Sequence, residues 1–227
     1  MGRVLVTGGT GVLGSALTRE LCAQNFEVVV FFRSNQGSAE QLAHEAGCVL
    51  HQGDASDENE VETLFQRYPF DAVVHLAGWN RDGLLIQTSP THWNEIIRSH
   101  LDSSFLMCCA ALRYLPSGGQ LLLVSSRVGL RGSIGQSAYG AAKAGVLGLM
   151  KSAALEGRQR NVRINALCPG FAPSPGDSLS KKQRDHRQSE ELLPKNDAAQ
   201  SFAAFTTWFL SSNSQATGQI LRPDCRI

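Results

Sequence analysis

Short, mostly continuous apolar runs recur along the chain at Val4–Val6, Val28–Phe32, Cys48–Leu50, Ala72–Val74, Gln120–Val124 and Val162–Leu167. A brief apolar run without alternation suits a strand covered on both faces, as in a parallel sheet. Between the runs, apolar residues return at helical spacing over Val12–Gln24, Ala39–Glu45, Glu58–Arg67, Thr91–Leu115 and Ala138–Glu156. Strand and helix therefore alternate, which predicts an α/β fold with a doubly wound, mostly parallel seven-stranded sheet and helices on both faces. Pro116-Ser117-Gly118-Gly119 stops the long fourth helix, and Pro169-Gly170 follows the sixth strand. Beyond that point residues 171–194 carry Pro173, Pro175 and Gly176 and then a charged stretch, before the apolar segment Ala198–Leu210 and a last strand near Gln219–Leu221. The 171–194 stretch reads either as a cover over a site at the strand ends or as an irregular surface connection.

Composition narrows this picture without overturning it. A chain of 227 residues, with no linker that divides it, is expected to form one domain over 1–227. A net charge of +1 offers no global attraction to nucleic acid or to an anionic membrane, so neither is an expected partner. The apolar stretch at the N-terminus is too short for a signal peptide or a membrane span, and a cytoplasmic location is expected. The six cysteines, Cys22, Cys48, Cys108, Cys109, Cys168 and Cys225, form no CxxC pair, which suits reduced thiols and no metal site.

The first chemical feature is Thr7-Gly8-Gly9-Thr10-Gly11-Val12-Leu13-Gly14, placed between the first strand and the first helix. There a dinucleotide pyrophosphate can meet backbone N–H groups and the positive end of the helix. Gly8 suits the tight turn, Gly11 the close approach and Gly14 the packing of helix on strand, which makes this the cofactor end of a Rossmann fold. The second strand ends Phe31-Phe32-Arg33-Ser34 with no carboxylate to bind a ribose 2′-hydroxyl. Arg33 instead suits the 2′-phosphate of NADP(H), and Asp54 and Ala55, after the third strand, stand where an adenine contact is expected.

The second feature is Tyr139-Gly140-Ala141-Ala142-Lys143, a phenol and an amine four residues apart on one helix face. A phenol with a pKa near ~10 is a weak acid or base at neutral pH, and a neighbouring ammonium stabilises its anion. Ser126 stands thirteen positions earlier at the carboxyl end of the fifth strand, and Ala77-Gly78 and Pro169-Gly170 follow the fourth and sixth strands, where ligand crevices form.

Taken together, these motifs resemble the short-chain dehydrogenase/reductase family along essentially the whole chain, and within it the 3-oxoacyl-(acyl-carrier-protein) reductases. Gly135–Gly145, the helix beginning at Trp93 and Ala216-Thr217-Gly218-Gln219 carry the closer likeness. The resemblance implies catalysis by Ser126, Tyr139 and Lys143: Ser126 binding a carbonyl oxygen, Tyr139 delivering a proton to it, and Lys143 binding the nicotinamide ribose and lowering the tyrosine pKa. Cofactor contacts from Thr7 to Gly14, Arg33, Asp54, Ala55, Ala77, Gly78, Tyr139, Lys143, Pro169 and Gly170 are implied with it. So are NADP(H), a small-molecule or carrier-protein-linked acyl thioester as substrate, a role in fatty acid biosynthesis, and a homodimer or homotetramer pairing through the Thr91–Leu115 and Ala138–Glu156 helices.

Two departures matter. The family carries an asparagine in the long helix, where it kinks the helix and holds a water that feeds protons to the lysine; His100 stands there, and its implied role is to take over that relay. The chain end at 222–227 lacks the paired glycines of the reductase tail. Two other readings stay open: a reductase of the same fold acting on another ketone, and a nucleotide-binding homologue with impaired catalysis. Lys181, Lys182, Arg184 and Arg187 fit either a contact with an acidic carrier or a mixed surface helix with Asp185, Glu190 and Glu191.

Overall fold

The computed structural model describes residues 2–173, 197–212 and 214–223. Its apolar runs become strands because they are covered from both sides. β1 (Arg3–Thr7), β2 (Glu27–Phe32), β4 (Ala72–His75), β5 (Gln120–Val124) and β6 (Arg163–Leu167) are buried at almost every position. β3 (Val49–Gln52), at the sheet edge, is only partly covered. With β7 (Ile220–Leu221) they form one sheet in the order β3-β2-β1-β4-β5-β6-β7. Every pairing is parallel.

Alternation along the strands divides the core in two. Leu5, Val29, Val73, Leu121, Leu123 and Ile164 face α3 (Glu58–Arg67), α5 (Ser103–Tyr114) and α7 (Ser137–Gly157). Val4, Val6, Val28, Val30, Val74 and Leu122 face α1 (Val12–Ala23), α2 (Gln36–Ala46) and a C-terminal helix, Ala198–Ser211. Each fully buried aliphatic side chain contributes about 1.5–3 kcal/mol. Local chemistry marks the helix ends: the Asp57 carboxylate accepts the N–H groups of Asn59 and Glu60 to start α3, and left-handed Gly47 closes α2.

The long helix expected over Thr91–Leu115 is present, with a π-turn inside it. It is α4 (Pro90–Ile97), a π-turn over Arg98–Asp102, and then α5. Ser99, Ser103 and Ser104 donate their hydroxyls to the carbonyls of Ile96, Ser99 and His100. Ser103 N–H reaches back five residues to the carbonyl of Arg98. Such back-bonding competes with the regular ladder and bends a helix. A short helix, α6 (Arg127–Arg131), follows β5 ahead of α7 and has no counterpart in the apolar pattern.

Because strand order reverses between β1 and β4, a crevice opens outside their carboxyl ends. Residues 174–194 of the expected cover, with Lys181, Lys182, Arg184 and Arg187, lie outside the described residues. Among the described residues no helix is long and apolar enough to cross a membrane, and no His/Cys/Asp/Glu group could hold a metal.

Candidate active site

β1 runs into a turn that only glycine can complete. Gly8 has φ +66°, its N–H donates to the Phe31 carbonyl at 2.8 Å, and a Cβ there would stand 3.0 Å from the Ala77 backbone. Gly11 N–H donates to Gly8 O at 3.0 Å, and a Cβ on Gly14 would lie 2.3 Å from that same oxygen. Gly9 is packed on Val30. α1 then begins at Val12 with no side-chain cap and no acidic residue in its first turn, so its positive end is left to an anion.

The crevice beside this turn is walled by Gly8, Thr10, Gly11, Phe32, Arg33, Ser34, Asp54, Ala55, Ser56, Ala77, Gly78 and Trp79, with Ser99 and Ser103 from the bent helix. Thr7, Gly9, Val12, Leu13 and Gly14 shape the turn without belonging to that wall. The Arg33 guanidinium is half exposed and stands 3.7 Å from the Asp54 carboxylate. Burial alone would raise the Asp54 carboxyl, but the N–H and hydroxyl of Ser56, at 2.9 and 2.8 Å, together with Arg33 and Arg98 hold it below its usual value.

Ser126 follows β5 and opens α6, and the contact of β5 and α6 with α7, which carries Tyr139 and Lys143, brings these elements to one edge of the sheet. Ser126 caps α6, accepting the N–H of Val128 at 3.2 Å. Gly129 lets α6 approach α7 so closely that a Cβ would lie 2.7 Å from the Lys143 carbonyl carbon. Two hydrogen bonds then fix α7 on the end of β5: Ser125 Oγ donates to Lys143 O at 2.8 Å, and Lys143 Nζ donates to Val124 O at 2.7 Å. Lys143 is 4 % exposed, and burial pushes its amine down to about 8. Nζ stands 5.7 Å from the centre of the Tyr139 ring. Pro169 and Gly170 follow β6 on the same edge of the sheet and, like the three catalytic candidates, stand outside the wall of the crevice.

The π-turn carries His100 against Tyr139. The imidazole is 4 % exposed and meets the Tyr139 ring edge to face, with centres 5.1 Å apart. Its Nε2 lies 2.9 Å from the Trp79 carbonyl, which can only accept, so Nε2 carries the proton and Nδ1 is left as an acceptor. That buried Nδ1 has no partner among the described residues. Burial and the neighbouring Lys143 hold the ring well below an ordinary histidine pKa, against the raising effect of Trp79 O. The ring is therefore neutral, with its proton directed away to Trp79.

Sequence reasoning passed over three residues of this arrangement. Ser125 clamps β5 to α7. Buried Gln136 donates to Asp82 at 2.8 Å, where Gly83 N–H also meets Gly135 O at 2.8 Å, joining the loop after β4 to the loop before α7. Gln136 stands three places before Tyr139 in a block read only for its likeness; its burial depends on chain segments more than fifty residues apart.

The short chain dehydrogenase family matches residues 3–185. The 3-oxoacyl-(acyl-carrier-protein) reductase FabG of Chlamydia trachomatis is 30% identical over 97% of this chain and 94% of its own. The acetoacetyl-CoA reductase of Shinella zoogloeoides is 32% identical over 86% and 83%. Among solved structures, a short chain dehydrogenase from Burkholderia cenocepacia in complex with NADP superposes with a TM-score of 0.91, covering 99% of this chain and 96% of that one at 22% identity.

Proposed function

This chain belongs to the short-chain dehydrogenase family, and from that premise we propose that it is an NADP(H)-dependent carbonyl reductase acting on a 3-oxoacyl thioester. The observation that carries the reaction type is the buried Lys143 amine, held by β5 beside the Tyr139 ring. The thioester rests on the two reductase relatives and on the apolar residues Leu84, Leu85, Ile86 and Ile134, exposed on the two loops that meet at Gly83 and Gly135.

The residues present fit the dinucleotide. Gly8, Gly11 and Gly14 leave a cradle that any Cβ would crowd or fill, α1 offers its uncapped positive end to the pyrophosphate, and Arg33 is the cation for a 2′-phosphate, oriented by Asp54. When bound, the reduced nicotinamide supplies the hydride that adds to the carbonyl carbon. Ser126 Oγ donates a hydrogen bond to the carbonyl oxygen, and Tyr139 transfers its phenolic proton to that oxygen as the alcohol forms. Lys143, cationic below about pH 8, favours the phenolate left behind and offers N–H groups to the ribose. His100 acts as a neutral acceptor through Nδ1. Two copies of the chain pair through α5 and α7, where Phe105 and Leu155 are 52% and 78% exposed.

NADPH oxidation, screened against acetoacetyl groups on a carrier protein or on pantetheine and against unrelated ketones, tests the reading. Turnover of the thioesters is expected. Tyr139→Phe is expected to lower kcat by about 10²–10⁴ with NADPH affinity retained, because only the acid is removed. Reduction of another ketone with no thioester turned over would replace the substrate, and NADPH binding with no carbonyl reduced would leave a nucleotide-binding homologue.

A further inference from the structure

We propose that His75 is a positioning residue, tying the cofactor turn at Thr7 to the bend at Arg98–Asp102 through one buried chain of directed hydrogen bonds. The inference rests on the reading that this turn holds NADP(H). His75 ends β4 and is 2 % exposed. Its Nδ1 lies 2.7 Å from Thr7 Oγ1, and its Nε2 lies 3.1 Å from Ser103 Oγ.

The direction of each bond in the chain follows from its neighbours, the Ser103 hydroxyl having the Ser99 carbonyl at 2.8 Å and the His100 carbonyl farther off at 3.4 Å. Thr7 Oγ1 accepts the N–H of Ala77 at 3.1 Å and shares that of Leu76, at 3.2 Å, with the Thr7 carbonyl oxygen, so it serves as acceptor to the backbone. Its own proton therefore points to His75 Nδ1. That assignment puts the ring proton on Nε2, which donates to Ser103 Oγ, and the Ser103 proton goes to the Ser99 carbonyl at 2.8 Å. Burial, reinforced by the Lys143 charge, pushes the ring down to about 3, so this neutral form persists through the working pH range.

The two ends of the chain belong to different parts of the site. Thr7 immediately precedes Gly8, and Ser103 ends the π-turn that brings His100 against Tyr139. An apolar side chain would fill the same space without desolvating an imidazole and two hydroxyls. Polar groups this deep are tolerated when each is satisfied, and a satisfied network fixes relative position more sharply than apolar packing does. The strut thus sets the distance between the turn that receives the cofactor and the bend that shapes the wall beside it, to which Ser99 and Ser103 contribute.

A double-mutant cycle on the full chain, read as NADPH affinity by fluorescence titration, tests the strut. Ser103→Ala removes the far link. His75→Asn keeps an amide atom where Nδ1 stands but has none at Nε2, so it also removes only the far link. Each is expected to weaken NADPH binding roughly 5- to 30-fold, the range for one interrupted buried hydrogen bond, and the double variant to be no weaker than either single one. Multiplying effects would show that Ser103 acts on the cofactor independently and would overturn the proposal. A lowered thermal midpoint with unchanged NADPH affinity would overturn it too, leaving His75 a stability residue only. Should His75→Asn fail to fold, His75→Gln in the same cycle decides between these outcomes. A wild-type chain that binds no NADPH sinks the cofactor reading itself, a result distinct from additivity in a chain that binds it.

Discussion

Gly78 and His100 share one small volume. Gly78 has φ +144°, and a Cβ built on it would stand 2.1 Å from the imidazole. The absent side chain therefore leaves room for a ring larger than the asparagine implied by the family resemblance. Gly78→Ala combines backbone strain with a clash against a ring that has no free space, and kcat is expected to fall about tenfold or more as His100 leaves Tyr139. Restored activity in Gly78→Ala/His100→Asn, assayed beside the single variant, would identify the ring as the cause. Arg33 makes a second residue-scale case. Its removal takes away the cation proposed for a 2′-phosphate, a guanidinium that stands 3.7 Å from Asp54. Arg33→Ala is expected to weaken NADPH about tenfold or more, the range for a lost charged hydrogen bond, and to leave NADH nearly unchanged. Equal losses for both cofactors, measured by titration, would remove Arg33 from 2′-phosphate recognition.

At the scale of elements, the clamp between β5 and α7 links pH to chemistry. The Lys143 amine is pushed down to about 8 by burial, so its charge is present below that pH and lost above it. Turnover that needs the ammonium is expected to fall above pH 8, by at most about tenfold per pH unit, and Lys143→Arg is expected to remove that limb from the rate profile of whatever activity remains. An unchanged alkaline limb in that variant would assign it to another group. The strands and the helices α1, α3 and α7 were legible because their apolar residues are periodic and continuous. Tyr139, Lys143 and Ser126 stood out as candidates because their spacing is local to two elements. The bend at His100 was not legible in the apolar pattern, which continues through it; the resemblance alone pointed to a kink there, and the hydroxyls of Ser99, Ser103 and Ser104, bonded back to the helix, show its form. Neither was the position of Lys143 Nζ on the Val124 carbonyl, which depends on how closely Gly129 lets α6 approach α7. Nor was the role of His75, because its two partners lie 68 and 28 residues away.

On the scale of the whole molecule, His75 and His100 are the buried histidines among the described residues, and these make the fold sensitive to acid. Burial holds His75 down to about 3 and His100 well below its usual value, whereas an unfolded chain protonates both near pH ~6.5. The unfolded state therefore binds more protons below that pH, and stability present above it is lost as the pH falls. The neutral His75 is expected to contribute a loss of about 1.4 kcal/mol per pH unit between roughly pH 6 and pH 4.5, and the lowered His100 adds a loss of the same sign. Urea unfolding across that interval measures the slope, and a flat profile would show that the rings are hydrated. The contact between α1 and the Ala198–Ser211 helix has another consequence. Leu17 and Leu21 of α1 share their core with Phe202, Ala203 and Leu210, and Gln120 donates to the carbonyl of Leu210. On a ribosome adding 5–20 residues per second, roughly 10–40 s separate the emergence of these two helices. Through that interval the nascent chain displays the apolar back of its nucleotide turn, a surface suited to a chaperone, and the turn gains its support only when the distant helix arrives.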